Sequence, residues 1–195
     1  MAVNDILICG VGGQGTVLAS RLIASCCLKR GIFVRTAETI GMAQRGGCVV
    51  SHVRTDSKDK SSIIPFNTAD LLIAFEPAEA VRCFPRLKED APVIVNSQAV
   101  VPVTSSIGGV QYDSDSIFDA IKSRENFVMI NAGEIAEKAG SPKAVNVVLL
   151  GAAIGAGFLD ITFDEMKVAL SEMLPQKLHE INFKALSYGI DEVKK

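Results

Sequence analysis

The stretch Asp5-Ile-Leu-Ile-Cys-Gly10-Val-Gly12-Gly13-Gln14-Gly15 decides how this chain folds. Its apolar residues run unbroken from Ile6 to Cys9. A run so short, closed by glycine, is a strand buried on both faces. Gly10, Gly12 and Gly15 then stand in G-x-G-x-x-G spacing. Small residues there let the backbone turn tightly off a strand and into a helix. Leu18, Leu22 and Cys26 follow at helical intervals, and Lys29 and Arg30 meet the negative end of a helix that Gly31 closes.

The same alternation continues outward. Strands are expected at 32–38, 48–55 (CVVSHVRT), 70–76 (DLLIAFE), 91–96 (APVIVN) and 127–131 (FVMIN). Pro77 suits the first position of a helix that Pro85 limits, and a further helix is expected around 116–124. The polar segment 56–62 reads as an exposed turn, and 100–109, with Pro102, Gly108 and Gly109, as a long loop. Ser141-Pro142 caps a helix running towards Phe158, on which Gly151 and Gly155 allow another backbone to approach. Thr162-x-x-Glu165 is a capping box for a helix that stops at Pro175. Leu178, Ile181, Ala185 and Leu186 put an apolar stripe on a last amphipathic helix. The predicted fold class is α/β. It is a Rossmann-like, mostly parallel sheet with helices on both faces and a helical C-terminal third, in one domain over 1–195. One irregularity marks where function is to be sought. The strands at 32–38 and 48–55 are joined by the glycine-rich connection 39–47 and not by a helix.

Composition narrows the function classes. Of 195 residues, 48% are hydrophobic and 22% charged, which excludes a disordered or fibrous chain. The net charge of −2 leaves no global basic field for nucleic acid or an anionic membrane. Aromatic residues are 6% and tryptophan is absent, which argues against a base-stacking platform. Cys9, Cys26, Cys27, Cys48 and Cys83 include no C-x-x-C pair, and the only histidines are His52 and His179. That pattern fits a reducing compartment and argues against an iron–sulfur or zinc site in this chain. The N-terminus carries no basic region and an early carboxylate, so no secretory signal is read. The longest uncharged apolar run, Val147 to Leu159, is thirteen residues, short of a membrane span. The expected location is cytoplasmic.

Two clusters are candidates for chemistry. The first is Gly10, Gly12, Gly13, Gln14 and Gly15, with Glu38 lying 23 residues beyond Gly15, about where a ribose-binding acid belongs. A helix N-terminus at such a turn offers free amides and positive potential to an anion. The same turn equally serves only to pack strand on helix, and both readings stand. The second cluster is Gly41-Met42-Ala-Gln44-Arg45-Gly46-Gly47, followed by Ser51-His52-Val53-Arg54. Arg45 beside two glycines places a guanidinium next to bare backbone, which suits a carboxylate or a phosphate. On a strand, His52 and Arg54 share one face, and a strand histidine is either a packing residue or a functional one. There is no thiamine-diphosphate metal signature, no G-x-x-x-x-G-K-[ST], no serine elbow and no Cys–His nucleophile spacing.

The combination GVGGQG with ETIGMAQRGGCVVSHVR resembles the gamma-type subunits of 2-oxoacid:ferredoxin oxidoreductases, and within them the indolepyruvate:ferredoxin oxidoreductase branch. The resemblance extends to Asn146, Leu150-Gly151, Asn182, Ala185 and Gly189. It implies a chain that is inactive alone. It also implies a large partner subunit bearing thiamine diphosphate with Mg and iron–sulfur clusters, with ferredoxin as electron acceptor and coenzyme A as acyl acceptor. On this reading no catalytic or metal-binding residue belongs to this chain. The glycine turn would lie beside the Gly41–Gly47 loop, in which Arg45, next to Gly46 and Gly47, is presented to the large subunit or to an anionic group of coenzyme A, with Glu38 and His52 supporting the loop. A free-standing nucleotide- or flavin-binding oxidoreductase, a pure scaffold subunit and self-association of the isolated chain remain the alternatives.

Overall fold

The computed structural model describes residues 5–41, 47–56, 61–101 and 112–194. Six strands form one mixed sheet in the order β2-β3-β1-β4-β5-β6. They are β1 (Asp5–Val11), β2 (Val34–Ile40), β3 (Cys48–Thr55), β4 (Leu71–Ala74), β5 (Val93–Asn96) and β6 (Phe127–Ile130). β1, β4, β5 and β6 run parallel, with Leu7 opposite Leu72, Ile73 opposite Ile94 and Ile94 opposite Val128. β3 is reversed and lies between β1 and β2, pairing Val11 with Cys48 on one side and Ile40 with Val49 on the other. The expected strands are all present. The second is displaced by two residues towards the connection, because its pairing with β3 carries on to Ile40.

The period-2 pattern of the central strands divides their side chains between two cores. Ile6, Ile8, Leu71, Ile73, Phe75 and Ile94 enter the larger one. Five helices cover that face: α1 (Thr16–Lys29), α4 (Ala132–Ala139), α5 (Val145–Gly155), α6 (Phe163–Met173) and α7 (His179–Val193). Leu7, Cys9, Leu72, Ala74, Val93 and Val95 enter the smaller core, under α2 (Pro77–Cys83) and α3 (Ser114–Lys122). β1 is buried at every residue, as its unbroken apolar run requires.

Helix boundaries follow their capping residues. Pro77 is the first residue of α2, and the Glu76 carboxylate accepts from the Glu79 N–H at 2.9 Å. Thr162 and Glu165 complete the expected capping box of α6. Ser141 and Pro142 open a 3₁₀ turn, Pro142–Ala144, that leads into α5. α4 is not anticipated from the sequence. Asn131 caps it by accepting from the Glu134 N–H, and Gly140 ends it at φ 112°. α5 and α7 pack with their backbones in contact. A Cβ on Gly155 would stand 2.6 Å from the Ile190 carbonyl oxygen, and Gly151 and Gly189 are crowded in the same way. The apolar stripe of α7 is carried by Ala185, Leu186 and Ile190, whereas Leu178 is half-exposed in the preceding 3₁₀ turn. Most of the expected exposed turn at 56–62 and of the expected loop at 100–109 lies outside the described residues. No helix among the described residues is long and apolar enough to cross a membrane.

Candidate functional site

β2 and β3 lie to one side of β1, and β4, β5 and β6 lie to the other. The winding therefore changes direction at β1, and in open α/β sheets ligands bind outside the carboxyl ends of the strands at such a point. A cleft of about 680 Å³ opens there. Its walls are Gly13 and Gly15 from the glycine turn, Leu18 from α1, Gln98 and Val100 after β5, and Lys143 and Asn146 before and within α5.

The turn depends on its glycines. Gly13 and Gly15 have φ of 102° and 90°, the left-handed region in which a side chain is strained. Gly15 also meets a neighbour, because a Cβ there would lie 2.7 Å from Asn146 Nδ2. The Gln14 side chain folds back over the strand ends. Its Oε1 accepts from the Val11 N–H at 2.8 Å, and its Nε2 donates to the Phe75 carbonyl at 3.1 Å. Gly10 makes room for it, since a Cβ there would stand 2.6 Å from Gln14 Oε1. Gln14 thus ties β1 to β4, with both ends of its amide bonded to the main chain. No side chain caps the N-terminus of α1, and its first turn holds no acidic residue. The free N–H groups and dipole of that terminus are left to the cleft.

Asn146 is 4% exposed. Its Oδ1 accepts from the Val147 N–H at 2.9 Å, which fixes the amide so that Nδ2 faces Gly15. Nδ2 has no partner among the described residues, and neither has the exposed ammonium of Lys143. The start of α1, the Asn146 amide and a lysine therefore border one space, whose lining among the described residues includes no acid. Such a set has the chemistry to hold an anion.

The other expected site residues divide. The Gly47 carbonyl accepts from the Gly12 N–H at 2.8 Å, so the end of the β2–β3 connection touches the glycine turn. Arg45 and Gly46 lie outside the described residues. Glu38 is on the outer edge strand, with β3 between it and β1, and its carboxylate takes a hydrogen bond from Ser20 of α1 at 3.4 Å. His52 is buried mid-strand opposite Leu7, and its Nδ1 accepts from the Ile64 N–H at 3.2 Å. Burial, then the nearby Arg86 and Arg54 charges, push its pKa down to about 4. Arg54 makes two hydrogen bonds to Asp5, at 2.7 and 2.8 Å, and donates to the carbonyls of Ser61 and Ile63. His52 and Arg54 therefore pin the segment 61–64 to the sheet, away from the cleft.

A family model described as pyruvate ferredoxin/flavodoxin oxidoreductase matches residues 5–192. The chain belongs to that family. It is a gamma-type subunit of a 2-oxoacid:ferredoxin oxidoreductase. It is 38% identical over 190 residues to the indolepyruvate oxidoreductase subunit IorB of Archaeoglobus fulgidus, covering 96% of this chain and 94% of that one. It is 26% identical to the common gamma subunit of the pyruvate and ketoisovalerate oxidoreductases of Pyrococcus abyssi, over 95% of this chain and 94% of that one. Its fold matches a 2-oxoglutarate:ferredoxin oxidoreductase from Magnetococcus marinus, whose structure holds 2-oxoglutarate, coenzyme A and succinyl-CoA. The TM-score is 0.71 at 22% identity, with 98% of this chain and 31% of that one covered.

In this oxidoreductase subunit no group of three or more His, Cys, Asp or Glu among the described residues is placed to hold a metal ion. Lys143 of the cleft wall escapes the sequence reading, and so does a carboxylate beside the cleft. Glu76, at the carboxyl end of β4, is 2% exposed, and its Oε1 accepts from the Tyr112 hydroxyl at 2.6 Å and the Val100 N–H at 3.4 Å. Its signal in the sequence is a carboxylate set between an apolar strand and Pro77.

Proposed function

We propose that this subunit serves an indolepyruvate:ferredoxin oxidoreductase and that its cleft holds a phosphate-bearing part of coenzyme A. The reaction converts an aryl pyruvate, coenzyme A and two oxidised ferredoxins to the acyl-CoA, carbon dioxide, a proton and two reduced ferredoxins. Thiamine diphosphate and iron–sulfur clusters on a large partner subunit supply the decarboxylation and the electron path. The present chain binds and orients in the cytoplasm. Indolepyruvate is favoured because the chain stands nearer to the indolepyruvate subunit (38%) than to the pyruvate and ketoisovalerate one (26%). The observation that carries the cleft assignment is Asn146 Nδ2, an amide donor on the cleft wall without a hydrogen bond among the described residues, facing the uncapped start of α1. Coenzyme A, bound in the fold relative from Magnetococcus marinus, carries phosphates whose oxygens accept from such donors.

The division of labour is physical. The α1 amides and Asn146 hold a phosphate oxygen by hydrogen bonds, and Lys143, on the same wall as Asn146, neutralises it. Arg45 offers its guanidinium to the large subunit or to a second anionic group of coenzyme A. Glu38 and His52 brace the hairpin that carries Arg45. Glu38 is two strands from β1, which speaks against a dinucleotide enzyme reading ribose with that residue.

The test is co-expression with a thiamine- and cluster-bearing partner and an assay with indolepyruvate, viologen and coenzyme A, omitting each subunit in turn. Turnover is expected from the pair and from neither alone. Lys143→Ala is expected to raise the KM for coenzyme A by about 10-fold, the scale of one charge-assisted hydrogen bond, with the KM for indolepyruvate unchanged. Wild-type coenzyme A kinetics in that variant would refute the cleft assignment. A purified chain that binds a dinucleotide at micromolar strength, or turns over alone, would refute the subunit reading.

A further inference from the structure

We propose that Glu76 is a positioning residue for coenzyme A, holding the cleft wall through Val100 and Tyr112. This rests on the reading of the cleft as the coenzyme A site. Glutamate is an unexpected choice at a helix N-cap, where short side chains such as Asp, Ser, Thr and Asn predominate. Capping α2 needs only Oε2, which accepts from the Glu79 N–H. The extra methylene is explained by a second duty. Oε1 reaches the Tyr112 hydroxyl at 2.6 Å and the Val100 N–H at 3.4 Å.

One buried oxygen therefore fixes two points of the chain that are twelve positions apart. One of them, Val100, lines the cleft with Gln98, across from the glycine turn. The other directly precedes Asp113, the cap of α3. The clasp thus ties the wall after β5 to the start of α2 and the approach to α3. A carboxylate would repel a phosphate, and this one is turned onto protein donors. Glu76 therefore works through Val100 and not by touching the ligand. The Tyr112 hydroxyl is kept as a donor, since burial and the Glu76 charge both push its pKa up.

The clasp and the cap can be separated. Glu76→Asp keeps a good N-cap for α2 and shortens the reach to Tyr112. Tyr112→Phe removes the hydroxyl and keeps the ring. Both variants, their double mutant and Lys143→Ala are to be assayed as the assembled complex. Each clasp variant is expected to raise the KM for coenzyme A about 3- to 10-fold, the scale of one buried hydrogen bond. The double mutant is expected to be no worse than Glu76→Asp alone, because shortening the side chain already gives up the bond to Tyr112. The kcat and the KM for the 2-oxoacid are expected to stay within about twofold, and the thermal midpoint of the complex to be retained. Unchanged coenzyme A kinetics in Tyr112→Phe would overturn the proposal while Lys143→Ala still shows its effect. Additive losses in the double mutant would overturn it too. If Lys143→Ala is also silent, the cleft reading falls and the clasp falls with it.

Discussion

The imidazole of His52 is neutral because its surroundings penalise a charge. It is buried, and Arg54 and Arg86 stand near it, so protonation is delayed until pH falls to about 4. An unfolded histidine takes its proton near pH 6.5, so between the two values the unfolded chain binds more protons. Stability should therefore be full above about pH 6.5 and decline as pH falls towards 4, by on the order of 3 kcal/mol from this residue. Urea titrations at stepped pH would show it, and His52→Gln should flatten that part of the curve. Sequence reading treats His52 as a candidate ligand because it lies in a polar run after a glycine-rich segment. Which strand it pairs with, and that Ile64 returns to bond it, are tertiary facts with no local trace. Asn146 shows the converse. It lies 131 positions from Gly15 in the sequence, and only the packing of α5 against the turn reveals its unpartnered Nδ2. The glycine turn itself was legible, since a tight strand-to-helix bend has a strict residue requirement.

Elements with strong local signals appear where the sequence places them. Buried strands announce themselves by unbroken apolar runs, and α6 by its capping box. Strand direction is different. A period-2 pattern reads the same in both senses, so the reversal of β3 is not visible in CVVSHVRT. The missing helix over 39–47 was the hint, because antiparallel strands need only a short connection and parallel ones need a crossover. α4 escapes because its buried positions are mostly Ala and Gly, with Ile135 the one large side chain. At this scale the contact between α5 and α7 is the most exacting. Gly151, Gly155 and Gly189 let two backbones touch, and no rotamer can relieve a methyl placed against a carbonyl. Gly189→Ala should force the helices apart and cost about 3 kcal/mol, read as a lower urea midpoint with the m-value unchanged.

The molecule as a whole is asymmetric along its strands. The amino edge of the sheet is closed by charge pairs. Arg54 and Asp5 are both almost fully buried, Asp70 accepts from the Asp5 N–H and pairs with Lys88, and Arg30 bridges Asp160 and Glu165. The carboxyl edge ends in glycines, a helix start without a side-chain cap and a lysine without a partner among the described residues. Rigidity and reception are thus assigned to opposite ends of the same strands. Arg54→Met should leave Asp5 as an uncompensated buried charge and cost about 3–5 kcal/mol in urea unfolding. At temperatures where that variant is folded, its complex should keep the wild-type KM for coenzyme A, because nothing it touches borders the cleft. The reversed strand adds a last consequence. Had β3 been parallel, the chain leaving β2 would have travelled back to the sealed rim before pairing. By turning round, it makes its bend at the receptive rim. Residues gained or lost between Ile40 and Cys48 therefore alter how far the protein reaches towards its companion, for an entropic charge of about 0.6 kcal/mol per doubling of the bend.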